Sequence, residues 1–255
     1  MNGAGDIFDL SGKTALVTGA SRGLGAHFAE VLARANARVI LGGRHPEQIR
    51  TVISRLPELQ RNAATVLPID LLSSESISGA LGSLKELDIL VNNAGVVHSA
   101  AVLEQSEADW DSVVDTNLKG PFLVSQMAAK LMAASGRGGS IINIASILGL
   151  RQSAAVLPYA VSKAGLIQLT KVLALELARF NVRVNALAPG YFDTELNRDF
   201  WQSPAGEALV RRIPQRRLGQ KSELDGPLLL LASEASRYMT GAVIAVDGGH
   251  LVSGL

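Results

Sequence analysis

The sequence predicts an α/β fold built on a parallel sheet, and three observations support this prediction. Short β-branched runs alternate with longer helical patterns along the chain. Several of these runs are almost wholly apolar, as strands covered on both faces should be. The 255 residues, 47% of them hydrophobic, are enough for one sizeable core. We therefore expect one domain over 1–255, because no repeat, low-complexity tract or linker interrupts the pattern.

Seven strands and six helices are expected in alternation. The strands are predicted at 13–18, 37–42, 63–69, 87–92, 139–144, 182–188 and 242–247. The helices are predicted at 23–35, 46–55, 73–84, 106–135, 158–179 and 222–233. The helix at 106–135 opens with Ser106, whose hydroxyl suits a helix N-cap.

The least regular stretch, 191–221, interrupts the alternation directly after the sixth strand. In an open α/β sheet, ligands bind outside the carboxyl ends of the strands. We therefore interpret 191–221 as a substrate lid. The pocket beneath it should also be bounded by 147–157 and by the loop after Gly95, which are mostly apolar except for Arg151 and Gln152.

A glycine-rich turn, TGASRGLG at 18–25, joins the first strand to the first helix. Glycines there would let the main chain adopt left-handed angles and approach a pyrophosphate, which the helix N-terminus would attract. The spacing G-x-x-x-G-x-G differs from the dinucleotide fingerprint G-x-G-x-x-G, and no Lys-Ser/Thr follows as in a P-loop. The alternative is an ordinary tight connection between strand and helix.

Tyr159 and Lys163 stand four residues apart in PYAVSKAG, with Ser146 upstream. On a helix this spacing puts both side chains on one face, so the ammonium should lower the tyrosine pKa from its usual value of about 10. A tyrosine tuned in this way is a usable general acid/base. The alternatives are a solvated pair on an exposed face and, for Ser146, a hydroxyl that caps a turn.

Further motifs follow in order along the chain. They are Asp70 after the third strand, NNAG at 92–95, Asn117 in DTNLKG, and Pro189-Gly190 followed by Thr194. Together with the glycine turn and the Tyr159/Lys163 pair, they resemble the short-chain dehydrogenase/reductase family almost from end to end. The resemblance implies a Rossmann-like, doubly wound parallel sheet of about seven strands with helices on both faces.

The resemblance also implies an NAD(P)-dependent oxidoreductase that interconverts a ketone and a secondary alcohol by hydride transfer. Tyr159 would be the general acid/base, Lys163 would lower its pKa and hold the nicotinamide ribose, and Ser146 would hydrogen-bond the substrate oxygen. Asn117 would complete the catalytic set. The implied cofactor-binding residues are Gly19, Ser21, Arg22, Gly23, Leu24, Gly25, Arg44, Asp70, Leu71, Asn93, Ala94, Gly95, Tyr159, Lys163, Pro189, Gly190, Phe192 and Thr194.

The end of the second strand favours NADP over NAD. An NAD-preferring pattern places an acid there to accept the ribose hydroxyls, whereas here Gly42 and Gly43 are followed by Arg44. A second guanidinium, that of Arg22, could join Arg44 on a 2′-phosphate. The alternative is that both arginines are solvated on exposed turns.

Pro121 predicts an irregularity inside the helix at 106–135. Proline has no N–H, so the carbonyl of Asn117, four residues earlier, lacks its helical donor. We expect a kink and an irregular turn at 117–118, and a water bonded to the freed carbonyl. The resemblance places this water beside Lys163, in a proton relay. The alternative is that Asn117 only packs between helix and sheet.

Composition narrows the partners. A formal net charge of +1 and no run near about 18 apolar residues give no reason to expect nucleic acid or membrane. Cysteine is absent and the histidines lack metal-like spacing, so no disulfide and no catalytic metal are expected. The beginning of the chain lacks basic and apolar leader regions, which makes the cytoplasm the expected location. The helices at 106–135 and 158–179 are rich in Ala, Leu and Val, and the resemblance implies a homotetramer through them.

Two substrate classes remain open. The opening FDLSGKTALVTGASRGLG and the segment GRHPEQ are similar to those of sugar-acid and polyol dehydrogenases, and also to those of 3-oxoacyl thioester reductases. Neither motif would touch substrate. A non-catalytic nucleotide sensor or interaction protein on the same scaffold is the alternative function, because fold does not fix function.

Overall fold

In the computed structural model, which describes residues 6–193 and 198–253, seven parallel strands form one sheet. They are β1 (Thr14–Thr18), β2 (Arg38–Gly43), β3 (Thr65–Pro68), β4 (Ile89–Asn92), β5 (Gly139–Ile144), β6 (Val182–Pro189) and β7 (Val243–Val246). All seven predicted strands are confirmed. The order is β3-β2-β1-β4-β5-β6-β7, so β1 lies between β2 and β4. This reversal between β3 and β4 opens a crevice outside the carboxyl ends of β1 and β4.

Ten α-helices occur within the described residues. They are α1 (Gly23–Arg34), α2 (Pro46–Ile53), α3 (Glu58–Ala63), α4 (Ser74–Gly82), α5 (Glu107–Val114), α6 (Gly120–Ala134), α7 (Leu157–Leu177), α8 (Arg198–Trp201), α9 (Pro204–Val210) and α10 (Asp225–Ala232). The short α3 was not predicted, because it buries no side chain and so shows no apolar periodicity. None of the helices in this part of the chain is both long and apolar enough to cross a bilayer.

The helices cover both faces of the sheet, which confirms the doubly wound, Rossmann-like prediction. Successive β1 residues point to opposite faces, as in any strand. Val17 packs with α1 and α10 side chains such as Phe28 and Leu228. Leu16 packs instead with α4 and α6 side chains such as Leu81 and Val124. The fully apolar β1 is therefore explained by burial on both sides.

The predicted helix at 106–135 is not continuous. A π-helical turn, Asp115–Lys119, separates α5 from α6, and the Gly120 N–H donates to the carbonyl of Asp115 five residues earlier. Pro121 follows immediately and has no N–H to continue the normal ladder. The predicted irregular turn at 117–118 is therefore confirmed. The start of α5 is also as predicted, since Ser106 Oγ accepts from the Asp109 N–H at 3.1 Å.

The described part of 191–221 is irregular, as predicted. It contains α8, α9 and an isolated parallel bridge between Phe192 and Gly219. The bridge is closed by the Gly219 N–H, which donates to the Tyr191 carbonyl at 2.9 Å. This pairing fixes the start and the end of the segment against each other. Its role as a substrate lid stays a prediction.

Candidate active site

The predicted site residues follow four neighbouring strands at the carboxyl edge of the sheet. The glycine turn follows β1, NNAG includes the end of β4, Ser146 stands two residues beyond β5, and Pro189-Gly190 ends β6. The strands β1, β4, β5 and β6 are consecutive in the sheet. The fold therefore collects motifs that are up to about 170 residues apart in sequence along one edge.

The glycine turn is packed directly against the NNAG loop. Gly19 has φ +66°, and a Cβ there would lie 2.8 Å from Ala94 Cα. A Cβ on Gly25 would lie 2.2 Å from the Gly19 carbonyl oxygen. The first turn of α1 can therefore pack this closely on the turn only because residue 25 is a glycine. Asn93 Nδ2 donates to the Thr18 carbonyl at 3.0 Å, and Thr18 Oγ1 accepts from the Asn93 N–H at 3.1 Å. These bonds join the loops after β1 and β4 into one unit.

A groove of about 440 Å³ lies over this unit. It collects ten of the predicted cofactor-binding residues, namely Gly19, Ser21, Arg22, Leu24, Arg44, Asp70, Leu71, Asn93, Ala94 and Gly95. Gly23 and Gly25 do not line it, although both belong to the turn beneath it. Gly23 has φ +60°, and a Cβ there would meet nothing within 4 Å, so this glycine is needed for backbone angle rather than for space. Thr194 lies outside the described residues.

The residues of the groove fit a dinucleotide that carries an extra phosphate. Arg22 and Arg44 are both exposed, and neither guanidinium is within ion-pair distance of a carboxylate in residues 6–193 and 198–253. At the end of β2, a Cβ on Gly42 would lie 3.2 Å from Ile69 Cγ2, so there is little space for a side chain. The position therefore holds no acid that would repel a 2′-phosphate, and the two cations beside it are available to bind one.

Two of the predicted cofactor residues, Phe192 and Gly190, do not line the groove. Phe192 is 5% exposed and belongs to the core, and a Cβ on Gly219 would lie 2.5 Å from its ring. A contact between Phe192 and a cofactor would therefore come from its backbone. Gly190 is packed against β7, where a Cβ would lie 2.8 Å from Asp247 Cα. The sequence motif marked both positions without revealing these packing roles.

Ser146, Tyr159 and Lys163 come together beside the groove. Lys163, on α7, is 4% exposed, and its Nζ donates to the Ile144 carbonyl at 2.7 Å. The same Nζ lies 5.6 Å from the centroid of the Tyr159 ring. A Cβ on Gly95 would lie 3.6 Å from Lys163 Nζ, so the groove and the lysine are direct neighbours. Ser146 is buried, and its Oγ accepts from the Leu148 N–H at 3.1 Å.

The expected lowering of the tyrosine pKa is wrong. Burial raises the pKa of Tyr159, a hydrogen bond with Ser146 opposes that rise, and nearby Tyr191 adds to it. Burial also lowers the pKa of Lys163 from 10.5 to about 8, since the ammonium has lost its water. The phenol is therefore held protonated at neutral pH, and the lysine is the group whose pKa moves toward neutrality.

Asn117 sits in the π turn and is fully buried. Its Oδ1 accepts from the Val96 N–H at 2.8 Å, and its Nδ2 donates to the Val96 carbonyl at 2.8 Å. Its Nδ2 also donates to Ser162 Oγ at 3.2 Å. Asn117 thus ties the NNAG loop to α7, a link that the sequence spacing does not reveal. The predicted water at its carbonyl stays a prediction.

A second groove, of about 680 Å³, is lined by 148–155 and by small apolar residues of 100–102 and α7. It matches two of the three boundaries predicted for the substrate pocket, including Arg151 and Gln152. The described residues contain no group of three His, Cys, Asp or Glu side chains that could hold a metal ion.

Comparison with known proteins agrees with this geometry. Residues 13–205 match the family model for short chain dehydrogenases. The chain is 41% identical to 2-dehydro-3-deoxy-D-gluconate 5-dehydrogenase of Escherichia coli over 249 residues, which cover 96% of this chain and 97% of that protein. It is 37% identical to 3-oxoacyl-[acyl-carrier-protein] reductase of Thermotoga maritima, with 95% and 99% covered.

Comparison with solved structures agrees with the sequence matches. A gluconate 5-dehydrogenase from Burkholderia cenocepacia, crystallised in complex with NADP and tartrate, superposes with a TM-score of 0.92 at 36% identity, covering 98% of this chain and 100% of that one. Both the sequence match and the fold extend over nearly the whole chain. The chain therefore belongs to the short-chain dehydrogenase family.

Proposed function

We propose that the chain interconverts a ketone and a secondary alcohol, with NADP as the hydride carrier and Tyr159 as the general acid/base. The observation that supports this best is the proximity of Ser146, Tyr159 and Lys163 to one another beside a groove. That groove is lined by two arginines, Arg22 and Arg44, which form no ion pair with any carboxylate among the described residues. A non-catalytic nucleotide sensor would need the arginines but not the buried lysine next to a tyrosine.

The proton chemistry follows from the two perturbed groups. Because burial raises its pKa, Tyr159 holds its proton at neutral pH and donates it to the carbonyl oxygen of a ketone during reduction. Ser146 donates a hydrogen bond to the same oxygen as negative charge develops there. The nicotinamide, when bound, supplies or accepts the hydride. In the oxidising direction Tyr159 must first lose its proton, so burial makes this direction depend on the lysine.

Lys163 is the group that returns the proton. With a pKa of about 8, its amine exchanges protons near neutral pH without a large free-energy cost. Lys163 and Asn117 both lie close to Gly95. A Cβ at Gly95 would lie 3.2 Å from Asn117 Oδ1 and 3.6 Å from Lys163 Nζ. We place the predicted water between the Asn117 carbonyl and this amine, which gives the proton a route toward solvent.

The cofactor assignment rests on the groove. Arg22 and Arg44 would bind the 2′-phosphate, Asp70 would accept from the adenine amino group, and 92–95 would line the middle of the dinucleotide. The turn at 18–25 and the start of α1 would hold the pyrophosphate. Relatives of this chain have been solved with NADP bound, which supports NADP rather than NAD.

Two substrate classes are compatible with the relatives. Some of them act on sugar acids, as gluconate 5-dehydrogenase of Gluconobacter oxydans does by its name, and others are 3-oxoacyl-[acyl-carrier-protein] reductases. The apolar groove of about 680 Å³ would suit an acyl chain, but Ser146, Tyr159 and Lys163 do not line it. Tyr191, Trp201 and His250, which follow β6 and β7, favour an oxygen-rich substrate.

We also propose that the chain forms a homotetramer in the cytoplasm. The helix α7 exposes Val161, Val172 and Leu175, the last at 81% exposure, on the surface predicted for assembly. A monomeric mass in light scattering at micromolar concentration would contradict the tetramer. Cell fractionation tests the location.

The deciding experiment is a turnover screen followed at the nicotinamide absorbance. Ketones, polyols, sugar acids and 3-oxoacyl thioesters are offered with NADP or NADPH, and Tyr159→Phe serves as the control. We expect turnover of at least one carbonyl or alcohol class by the unmodified chain and turnover at least about 100-fold lower by the variant. Tight NADPH binding with no turnover of any class would support the sensor instead.

A further inference from the structure

Three neighbouring strand ends bring polar and aromatic side chains to the substrate side of Tyr159. In the sheet register, Ile144 of β5 pairs with Leu187 of β6, and Pro189 of β6 pairs with Val246 of β7. Tyr191 follows β6 by two residues and His250 follows β7 by four. Both therefore lie at the same edge as Ser146, which follows β5.

These side chains pack on one another around Tyr191. The centroid of its ring lies 5.3 Å from that of Trp201, in an edge-on arrangement, and 5.5 Å from that of His250. Such ring pairs are favourable and restrict rotation of the rings. Tyr191 is also close enough to Tyr159 to affect its ionisation. The cluster thus begins next to the proton donor and extends toward α8.

Two buried nitrogens in this cluster have no hydrogen-bond partner. Trp201 Nε1 and His250 Nδ1 are both shielded from solvent, and neither finds an acceptor or donor in residues 6–193 and 198–253. His250 is only 4% exposed. Buried polar groups are nearly always paired, so two unpaired ring nitrogens around Tyr191, which is itself near Tyr159, indicate that another group completes them.

The position of His250 is held from its backbone side. Arg151 donates to the His250 carbonyl, and the Asp247 carboxylate accepts from the Gly249 N–H at 2.9 Å and from the Leu251 N–H at 2.7 Å. Burial, followed by the nearby Arg151, lowers the pKa of His250. Its ring is therefore neutral at pH 7, fixed in place, and backed by a guanidinium.

We infer that Tyr191, Trp201 and His250 form a polar wall that binds the oxygen atoms of a polyhydroxylated acid beside Tyr159. Trp201 Nε1 can only donate, so it requires an acceptor such as a hydroxyl or carboxylate oxygen. Beyond its reacting ketone, a 3-oxoacyl thioester offers only the thioester carbonyl as an acceptor and its chain offers none, so it would leave buried groups of this wall unpaired. The inference rests on the proposed function and selects a sugar acid over a 3-oxoacyl thioester.

The test compares variants that each remove one polar atom with matched controls. Trp201→Phe removes the Nε1–H and Tyr191→Phe removes the hydroxyl, whereas Trp110→Phe on α5 and Tyr238→Phe at a fully exposed site make the same changes elsewhere. The probes are D-gluconate with NADP and acetoacetyl-CoA with NADPH. For each wall variant we expect kcat/KM for gluconate to fall about tenfold more than for acetoacetyl-CoA, mainly through KM.

Binding gives a second readout. Trp110→Phe leaves Trp201 as the one tryptophan of the chain, so gluconate added to that variant with NADP should change its fluorescence. Equal losses for both probes, or no loss in either wall variant, would overturn the polar wall. Reduction of acetoacetyl-CoA with neither turnover nor binding of gluconate would also overturn it. If neither probe is turned over but gluconate changes the fluorescence, the proposed reaction fails while the polar wall stands.

Discussion

The two sides of the active-site edge are built in different ways. On the cofactor side, the turn after β1 and the loop after β4 approach each other through main-chain atoms, and a Cβ on Gly19 would lie only 2.8 Å from Ala94 Cα. On the substrate side, the contacts run between side chains from different segments, such as Tyr191 and His250, whose ring centroids lie 5.5 Å apart. Main-chain packing leaves little freedom to vary the residue types, whereas side-chain packing can change with the substrate.

The catalytic groups lie where the two sides meet. Lys163 donates to the carbonyl at the end of β5 and neighbours Gly95, and Tyr159 is near both that lysine and Tyr191. A substitution of Tyr159 or Lys163 should therefore lower turnover without removing either the cofactor site or the substrate site. The predictions that follow separate the junction from the cofactor side, in order of decreasing effect.

The largest effect is expected from Tyr159→Phe, which removes the proton donor and nothing else. Turnover should fall by about 10²–10⁴-fold or more, as is typical when a general acid is lost. The dissociation constant for NADPH, measured by fluorescence titration, should change little, because the ring remains. Turnover near that of the unmodified chain would show that Tyr159 does not transfer the proton.

Lys163→Met should stabilise the protein at neutral pH. Between pH 8 and 10.5 the unfolded chain binds more protons at this lysine than the folded chain, since its folded pKa is about 8. Stability therefore rises with pH in that window, and below it the buried ammonium costs roughly 3 kcal/mol. The advantage of the variant over the unmodified chain should shrink by roughly 2 kcal/mol between pH 7.5 and 9.5.

Urea denaturation at both pH values measures this difference. Lys171→Met is the matched control, because Lys171 lies on the same helix but is exposed. The control should show no comparable pH dependence. A Lys163→Met variant that is less stable than the unmodified chain at pH 7.5 would mean that the bond to the Ile144 carbonyl outweighs the desolvation of the ammonium.

Gly25→Ala tests the main-chain packing of the cofactor side. The new methyl would overlap the Gly19 carbonyl and Asn93 Nδ2, and overpacking of this kind costs about 1–3 kcal/mol. We expect a lower melting temperature and weaker NADPH binding, because the turn must move away from α1. Gly79→Ala on α4 is the control, since nothing lies within 4 Å of its Cβ position, and it should gain up to about 1 kcal/mol. Equal behaviour of the two variants would contradict the importance of the close approach.

The contrast between the two sides also explains what the sequence could predict. The seven strands, the glycine turn and the irregular turn at Pro121 follow from local rules of burial, φ angle and missing donors, and all are confirmed. The environment of Tyr159 was predicted wrongly, because a sequence shows a cation four residues away but not how much water burial removes. Trp201 is marked in the sequence only by its place in the predicted lid at 191–221, and His250 gives no usable signal, since its importance arises only from contacts across strand ends.

An effect similar in size to that of Gly25→Ala is expected from Arg44→Asp, which tests the electrostatic part of the cofactor side. The substitution removes a cation that would bind the 2′-phosphate and adds a charge that repels it. Charge-assisted bonds contribute about 1.5–3 kcal/mol, so the ratio of kcat/KM for NADP to that for NAD should fall by roughly 10–100-fold and turn toward NAD. Arg237→Asp supplies the control, because Arg237 is exposed beside Arg183 and Arg137, at the amino end of the sheet. If Arg44→Asp changed the ratio no more than this control, or if the unmodified chain preferred NAD, the two arginines would be ordinary solvated charges. The main-chain part of the cofactor side would then bind either dinucleotide without regard to its 2′ group.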